Sequence, residues 1–171
     1  EGTLGVITAA CLKTYPLPRA QATALLAVPA LPAALDLLQA ARAACGPTLT
    51  AFECFNDLCL TLVERHYPGH ASPFASRSPQ YVLLEISDHE SEVHASGLLE
   101  SLAGSAIETG LASDAVIAQS TAQRRSLCSL RELISEAQTR EGRNIKHDIA
   151  VPISEIARFV AQTDALLQQR F

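Results

Sequence analysis

Apolar and polar positions along the chain change period repeatedly, and each change predicts a new element. Residues 2–15 set Leu4, Val6, Ala10 and Leu12 against small polar neighbours and stop at Tyr15-Pro16-Leu17-Pro18, which predicts a strand ended by prolines. A second apolar run over 22–28 reads as a strand closed by Pro29 and Pro32. Pro32 suits the first turn of a helix, where its missing N–H removes no bond. Ala34, Leu37, Leu38, Ala41 and Cys45 then recur at helical spacing until Gly46-Pro47 stops the run. Residues 48–55 read as a strand, 56–64 as a short helix, and 67–79 as a loop rich in turn formers. The clearest strand is 80–87, Gln-Tyr-Val-Leu-Leu-Glu-Ile-Ser, where β-branched and aromatic residues are bounded by turn formers. Ala95, Leu98, Leu99, Leu102 and Ala106 mark one face of a helix that Gly110 ends, and 114–118 is a short strand.

From residue 22 to 118 the order is therefore β-α-β-β-α-β, with a helical insert after the second strand. That is an α+β, ferredoxin-like order, in which both helices pack on one face of an antiparallel sheet. Extra C-terminal helices follow. One runs from 121 to about 140 with Leu127, Leu130, Ile134 and Ala137 on a single stripe. The other, after the Pro152 break, carries Ile156, Phe159, Val160, Thr163 and Leu167.

Composition narrows the function classes. The 171 residues hold 13 Lys and Arg against 18 Asp and Glu, a net charge of −5, and a phosphate-tracking surface needs the opposite balance. Nucleic acid is not an expected partner. With 48% hydrophobic and 18% charged residues the chain can bury a core. No uncharged apolar run reaches the ~20 residues of a bilayer crossing, so no transmembrane segment is expected. Five cysteines without C-x-x-C spacing fit reduced thiols and a cytoplasmic location. Cys11, Cys45, Cys54 and Cys59 lie in apolar stretches and are expected to act as small hydrophobes. The chain contains no Met and opens without the pattern of a signal peptide, which suggests a piece of a longer protein.

Arg131 and Ser135 are four apart and so share a stripe at the edge of the apolar face of their helix. A guanidinium held there can grip a carboxylate through two parallel N–H bonds. The alternative is a surface Arg paired with Glu132 or Glu136. Lys146-His147-Asp148 precedes the Pro-bounded segment Ile149-Ala150-Val151-Pro152, and it reads either as the mouth of an anion site or as a solvated loop. No metal site is expected: Pro68 and Gly69 break the helix that a His66/His70 pair would need, and His89 and His94 lack supporting ligands. Gly2-Thr3-Leu4-Gly5 is too short for a phosphate loop, and no nucleophile elbow is present. On residues alone this is an α+β domain with a candidate anion site and no assigned catalytic group.

Several segments in order resemble the FAD-linked oxidase family of D-2-hydroxy acid dehydrogenases, which includes D-lactate and D-2-hydroxyglutarate dehydrogenases and the flavin subunit of glycolate oxidase. They are Glu-Gly-Thr-Leu-Gly-Val-Ile-Thr at 1–8, Leu-Lys-Thr-Tyr-Pro-Leu-Pro at 12–18, Leu-Thr-Ala-Phe-Glu at 49–53 and Tyr-Val-Leu-Leu-Glu at 81–85. Asp-Ala-Val-Ile-Ala-Gln-Ser at 114–120, Leu130-Arg131-Glu132 with Ile134, and Lys-His-Asp-Ile-Ala-Val-Pro at 146–152 complete the set.

The resemblance implies that residues 1–18 are the tail of an FAD-binding domain, with Gly2, Thr3, Leu4 and Gly5 near the flavin. Residues 19–171 would then be the C-terminal cap over the substrate, ending before a His-x-Gly-Asp-Gly-Asn-x-His metal and base motif. Arg131 would bind the acid's carboxylate, Ser135 would hydrogen-bond it, and Lys146 would add positive charge. Relatives often carry Trp where this chain has Cys128. The implied parent oxidises a D-2-hydroxy acid, passing hydride to FAD and then electrons to a quinone, cytochrome or electron-transfer protein, with a divalent metal whose ligands are not in this chain. The piece itself is expected to be inactive and able to form a homo-oligomer. The rival from another class is a non-catalytic ferredoxin-like domain that binds a small acid or a protein partner.

Overall fold

The computed structural model describes residues 2–170; Glu1 of the first resembling segment and Phe171 of the expected cap lie outside the described residues. Four strands, β1 (Ala20–Val28), β2 (Leu49–Asn56), β3 (Gln80–Asp88) and β4 (Asp114–Ile117), form one antiparallel sheet in the order β2-β3-β1-β4. Helices α1 (Leu31–Cys45), α2 (Asp57–His66) and α3 (Glu92–Glu108) lie between the strands, and α4 (Thr121–Glu132), α5 (Ile134–Glu141) and α6 (Ile156–Arg170) follow them. The β-α-β-β-α-β order and the inserted helix read from the sequence are both present.

Strand alternation divides the core in two, because successive side chains leave opposite faces of the sheet. Leu26, Leu84 and Ile86 face α1 and α3, where they meet Leu37, Ala41, Leu99 and Leu102. Leu25, Tyr81 and Leu83 face the other way and meet Leu60, Val63, Leu127, Leu130 and Ala137 of α2, α4 and α5. The two ferredoxin-type helices thus share one face as expected, and the later helices with the insert cover the second. Double coverage explains why β1 reads as a nearly continuous apolar run: all but one of its residues are buried.

Side-chain caps fix where three helices begin. Asn56 Oδ1, Ser91 Oγ and Ser120 Oγ accept from the N–H groups of Cys59, His94 and Gln123 at 3.1, 3.1 and 3.2 Å. Each satisfies one of the donors that a helix leaves unpaired at its start. Gly110, two residues beyond α3, takes φ +76°, a conformation that favours glycine and lets the chain turn towards β4.

Several expectations need correction. Residues 2–18 form no strand; alternation alone cannot hold an extended segment, because a strand needs a neighbour for its backbone groups. The helix expected from 121 to about 140 is interrupted at Leu133. Leu133 still donates to Ser129 O at 3.1 Å and accepts from Ala137 N at 2.8 Å, so the break is a local step between consecutive helices. The apolar stripe of α6 joins no core among the described residues: the helix has no buried residue. Cys45 is buried as expected, but Cys11 and Cys54 are exposed.

Candidate functional site

Helices α4 and α5 carry the candidate groups, and their apolar faces fix how those groups are presented. Leu127 and Leu130 are buried against the sheet, which places Arg131 beside the buried stripe, within reach of the neighbouring strand. Its Nε donates to Glu53 Oε2 on β2, and the two side chains are 44% and 37% exposed. Neither expected alternative partner, Glu132 nor Glu136, takes this guanidinium; Glu136 pairs with Arg140 at 3.0 Å.

One helical turn beyond Arg131, Ser135 lies on α5. Lys146, in the exposed stretch after α5, reaches back so that its Nζ donates to Ser135 Oγ at 2.7 Å and to Ser135 O at 2.8 Å. Thr139 Oγ1 is a longer contact at 3.5 Å. Two of the three sequence candidates are therefore in direct contact, and the third is tied to the sheet one turn away. His147 and Asp148 are exposed neighbours of Lys146.

The helix bearing Ser135 is docked on α2 by a polar latch. Glu141 accepts from Arg65 Nη1 at 2.5 Å and lies 2.7 Å from His66 Nε2. Those contacts, His66 first, hold the Glu141 carboxyl below its ordinary range. The Arg140 guanidinium lies 4.3 Å from the centre of the Tyr67 ring, a cation–π contact between the same elements.

Beneath α4 the sheet presents a second carboxylate, Glu85. Its Oε1 accepts from Thr23 Oγ1 at 3.0 Å and from Cys128 Sγ at 3.4 Å. Burial first, and the Glu85 charge next, push the Cys128 thiol up to about 11. Cys128 therefore stays protonated and acts as a donor and packing group, not as a nucleophile.

Other sequence candidates are not gathered here. Gly2, Thr3, Leu4 and Gly5 are exposed, and a Cβ added at either glycine would meet nothing within 4 Å. They build no cradle for a flavin among the described residues. No three His, Cys, Asp or Glu side chains of the described residues come together to hold a metal ion. An open cleft of about 760 Å³ lies between β1, α3 and the start of α4, apart from Arg131, Ser135 and Lys146. Arg19 and Arg124 line it together with Glu92 and Glu100, so it offers an acid no net positive field.

Sequence reading gave Glu53 no role, although a signal was present. In Ala51-Phe52-Glu53-Cys54-Phe55, Glu53 shares the strand face of Phe55, which packs in the core beneath α2 and α4. An acid on that face, partly covered by the helices, calls for a hydrogen-bond donor or a cation beside it.

A four-stranded antiparallel sheet covered by helices on both faces, with Arg131 on α4, Ser135 on α5 and Lys146 in the stretch that follows, defines the class: an α+β domain of ferredoxin-like order. The comparison with known proteins makes it specific. The chain belongs to the family FAD linked oxidases, C-terminal domain, which it matches over residues 17–171. It is 38% identical over 173 residues to a D-2-hydroxyglutarate dehydrogenase of Xanthomonas citri pv. viticola, covering 100% of this chain and 35% of that protein. It is 33% identical over 156 residues to the mitochondrial D-2-hydroxyglutarate dehydrogenase of Rattus norvegicus, covering 91% and 29%. The Arabidopsis thaliana mitochondrial protein of the same name is 32% identical over 160 residues, covering 94% and 28%. The chain spans about a third of the length of these curated relatives.

Proposed function

We propose that this chain supplies the substrate-carboxylate site of an FAD-dependent protein that oxidises a D-2-hydroxy acid to the 2-oxo acid. The relatives' names favour D-2-hydroxyglutarate as substrate, with lactate and glycolate as smaller members of the same class. The contact that carries the reading joins Lys146 Nζ to Ser135 Oγ across separate segments. The ammonium occupies an acceptor site of the hydroxyl, which leaves the Ser135 O–H to donate to a carboxylate oxygen. Lys146 adds a charge beside that oxygen, and the outer nitrogens of Arg131 supply the planar fork that carboxylates fit. Such groups position the acid; they move no proton and no electrons themselves.

FAD is the cofactor implied by the family, and it supplies the two-electron acceptor when bound. The exposed Gly2, Thr3, Leu4 and Gly5 do not fit a flavin site by themselves, so no step is assigned to them. The same holds for the divalent metal, for which these residues provide no ligand set. In this reading residues 1–18 belong to the flavin domain and 19–171 to the cap, and the isolated piece turns nothing over. The electron acceptor is a quinone, cytochrome or electron-transfer protein. No helix among the described residues is long and apolar enough to cross a membrane. Five free cysteines fit a reducing compartment, which the cytoplasm and the mitochondrial matrix both provide.

Anaerobic titration of the full-length, flavin-loaded protein with D-2-hydroxyglutarate tests this. Arg131→Ala should raise the substrate concentration that gives half the maximal rate of flavin reduction at least ~10-fold, the effect of losing one charge-assisted pair. An unchanged titration would remove Arg131 from the site.

A further inference from the structure

We propose that Glu53 is the positioning residue for Arg131, setting which edge of its guanidinium is offered to the substrate; the proposal rests on the carboxylate-binding reading above. A guanidinium can grip a carboxylate along its side edge, through Nε and one terminal nitrogen, or end-on through both terminal nitrogens. Glu53 accepts from Nε, so the side edge is taken. Among the described residues the two terminal nitrogens of Arg131 donate to no protein group, and the end-on fork remains available.

The location of Glu53 makes it a rigid anchor. It stands within the β2 ladder opposite Leu83 of β3, and Leu83 is buried in the core under α2, α4 and α5. Arg131 rides on a helix whose Leu127 and Leu130 occupy the same core. Strand and helix are therefore held by shared packing, and the Nε contact fixes the remaining freedom of the guanidinium plane. The nearby acid of that face, Glu85, is engaged with Thr23 and Cys128 and makes no bond to Arg131. One carboxylate anchors the arginine, and the fork is not drawn inwards by a second.

This role differs from that of an ordinary ion pair. Both partners are more than a third exposed, so their pairing contributes little to folding. Its effect should appear in substrate affinity while the thermal midpoint stays nearly fixed.

The test uses the full-length, flavin-loaded protein with D-2-hydroxyglutarate. Glu53→Ala should raise KM roughly 10-fold with little change in kcat, as expected for lost orientation of a binding group. Glu53→Gln keeps an acceptor oxygen at the same reach and should restore KM to within about threefold of the parent. Glu53→Asp keeps the charge but withdraws it by one methylene and should resemble Glu53→Ala. In an Arg131→Ala background, Glu53→Ala should change KM by less than about twofold. Equal effects of Glu53→Ala in both backgrounds, or an unchanged KM in the parent background, would overturn the proposal. An Arg131→Ala variant with normal KM would instead overturn the underlying site, and flavin content and thermal midpoint identify any variant that fails to fold.

Discussion

Lys146 Nζ lies 2.7 Å from Ser135 Oγ, a contact that spans eleven residues and folds the segment after α5 back on that helix. Sequence spacing put the two residues on separate elements; the structure makes them one unit. In the full-length protein Ser135→Ala and Lys146→Met should each weaken D-2-hydroxyglutarate binding by roughly 10- to 100-fold, the range for a hydrogen bond to a charged group. Ser135→Thr keeps the hydroxyl and should retain most affinity. Because the pair acts together, the double variant should lose less than the product of the single losses. Isothermal titration with substrate checks all three, and independent, multiplicative losses would count against a joint site.

Stability should carry a pH signature from Asp88 and His94. The Asp88 carboxylate is 2% exposed and lies 2.6 Å from His94 Nδ1. The backbone N–H of Glu90 and then the His94 hydrogen bond hold Asp88 below its ordinary value of 3.8, and the Asp88 hydrogen bond raises His94 above 6.5. A raised histidine contributes stability below 6.5 that is lost as pH climbs through its folded-state value. A lowered aspartate contributes stability above 3.8 that is lost as pH falls through its folded-state value. Both contributions are present between those limits. The midpoint difference between the parent and His94→Gln should therefore be largest near about pH 5 and shrink towards about pH 9. Thermal melts across that range decide it, and a pH-independent difference would refute the assignment.

Tyr81 is fully buried, and its ring stacks between Phe55 and Phe74 with centroids 5.7 Å from each. Its oxygen accepts from Ser78 N–H at 3.0 Å and donates to Asp57 at 3.1 Å. Tyr81→Phe keeps the stack but strands the Ser78 N–H in the core, a loss of about 1–3 kcal/mol. Urea unfolding measures it. A change under ~0.5 kcal/mol would mean that Ser78 finds another partner.

Leu4, Val6, Ile7, Leu12 and Leu17 are 80% to 102% exposed, and α6 adds Phe159, Val160, Leu166 and Leu167 to the open apolar surface. Surface of this kind drives association when nothing covers it. The 171-residue chain should self-associate, and removing residues 1–18 should reduce that tendency. Sedimentation velocity over a concentration series checks this; a monodisperse monomer at high concentration in both forms would refute it.

Local patterns carried most of the fold. Alternation in 80–87, the prolines flanking β1, the spacing of Ala34, Leu37, Ala41 and Cys45, and capping residues such as Ser91 and Ser120 act over a few residues. Strand, helix and their order could therefore be read directly. The same local rules misled where an element needed a distant partner. Residues 2–15 alternate like a strand but pair with nothing described, and the stripe on α6 is left without a buried residue. The step at Leu133 also escaped, because the apolar stripe continues through it from Leu130 to Ile134 and Ala137.

The candidate site divides in the same way. By itself the sequence determined the α+β order and carried the family likeness, which in turn singled out Arg131, Ser135 and Lys146 as candidates. Only the tertiary structure decided that Arg131 leans on Glu53 and that Lys146 reaches Ser135. Those contacts depend on how β2 and the segment after α5 are brought against the two helices. Burial on the second face of the sheet sets β2 against α4, and hydrogen bonds from Lys146 hold the exposed segment on α5; both join residues far apart in the chain, which no local pattern encodes.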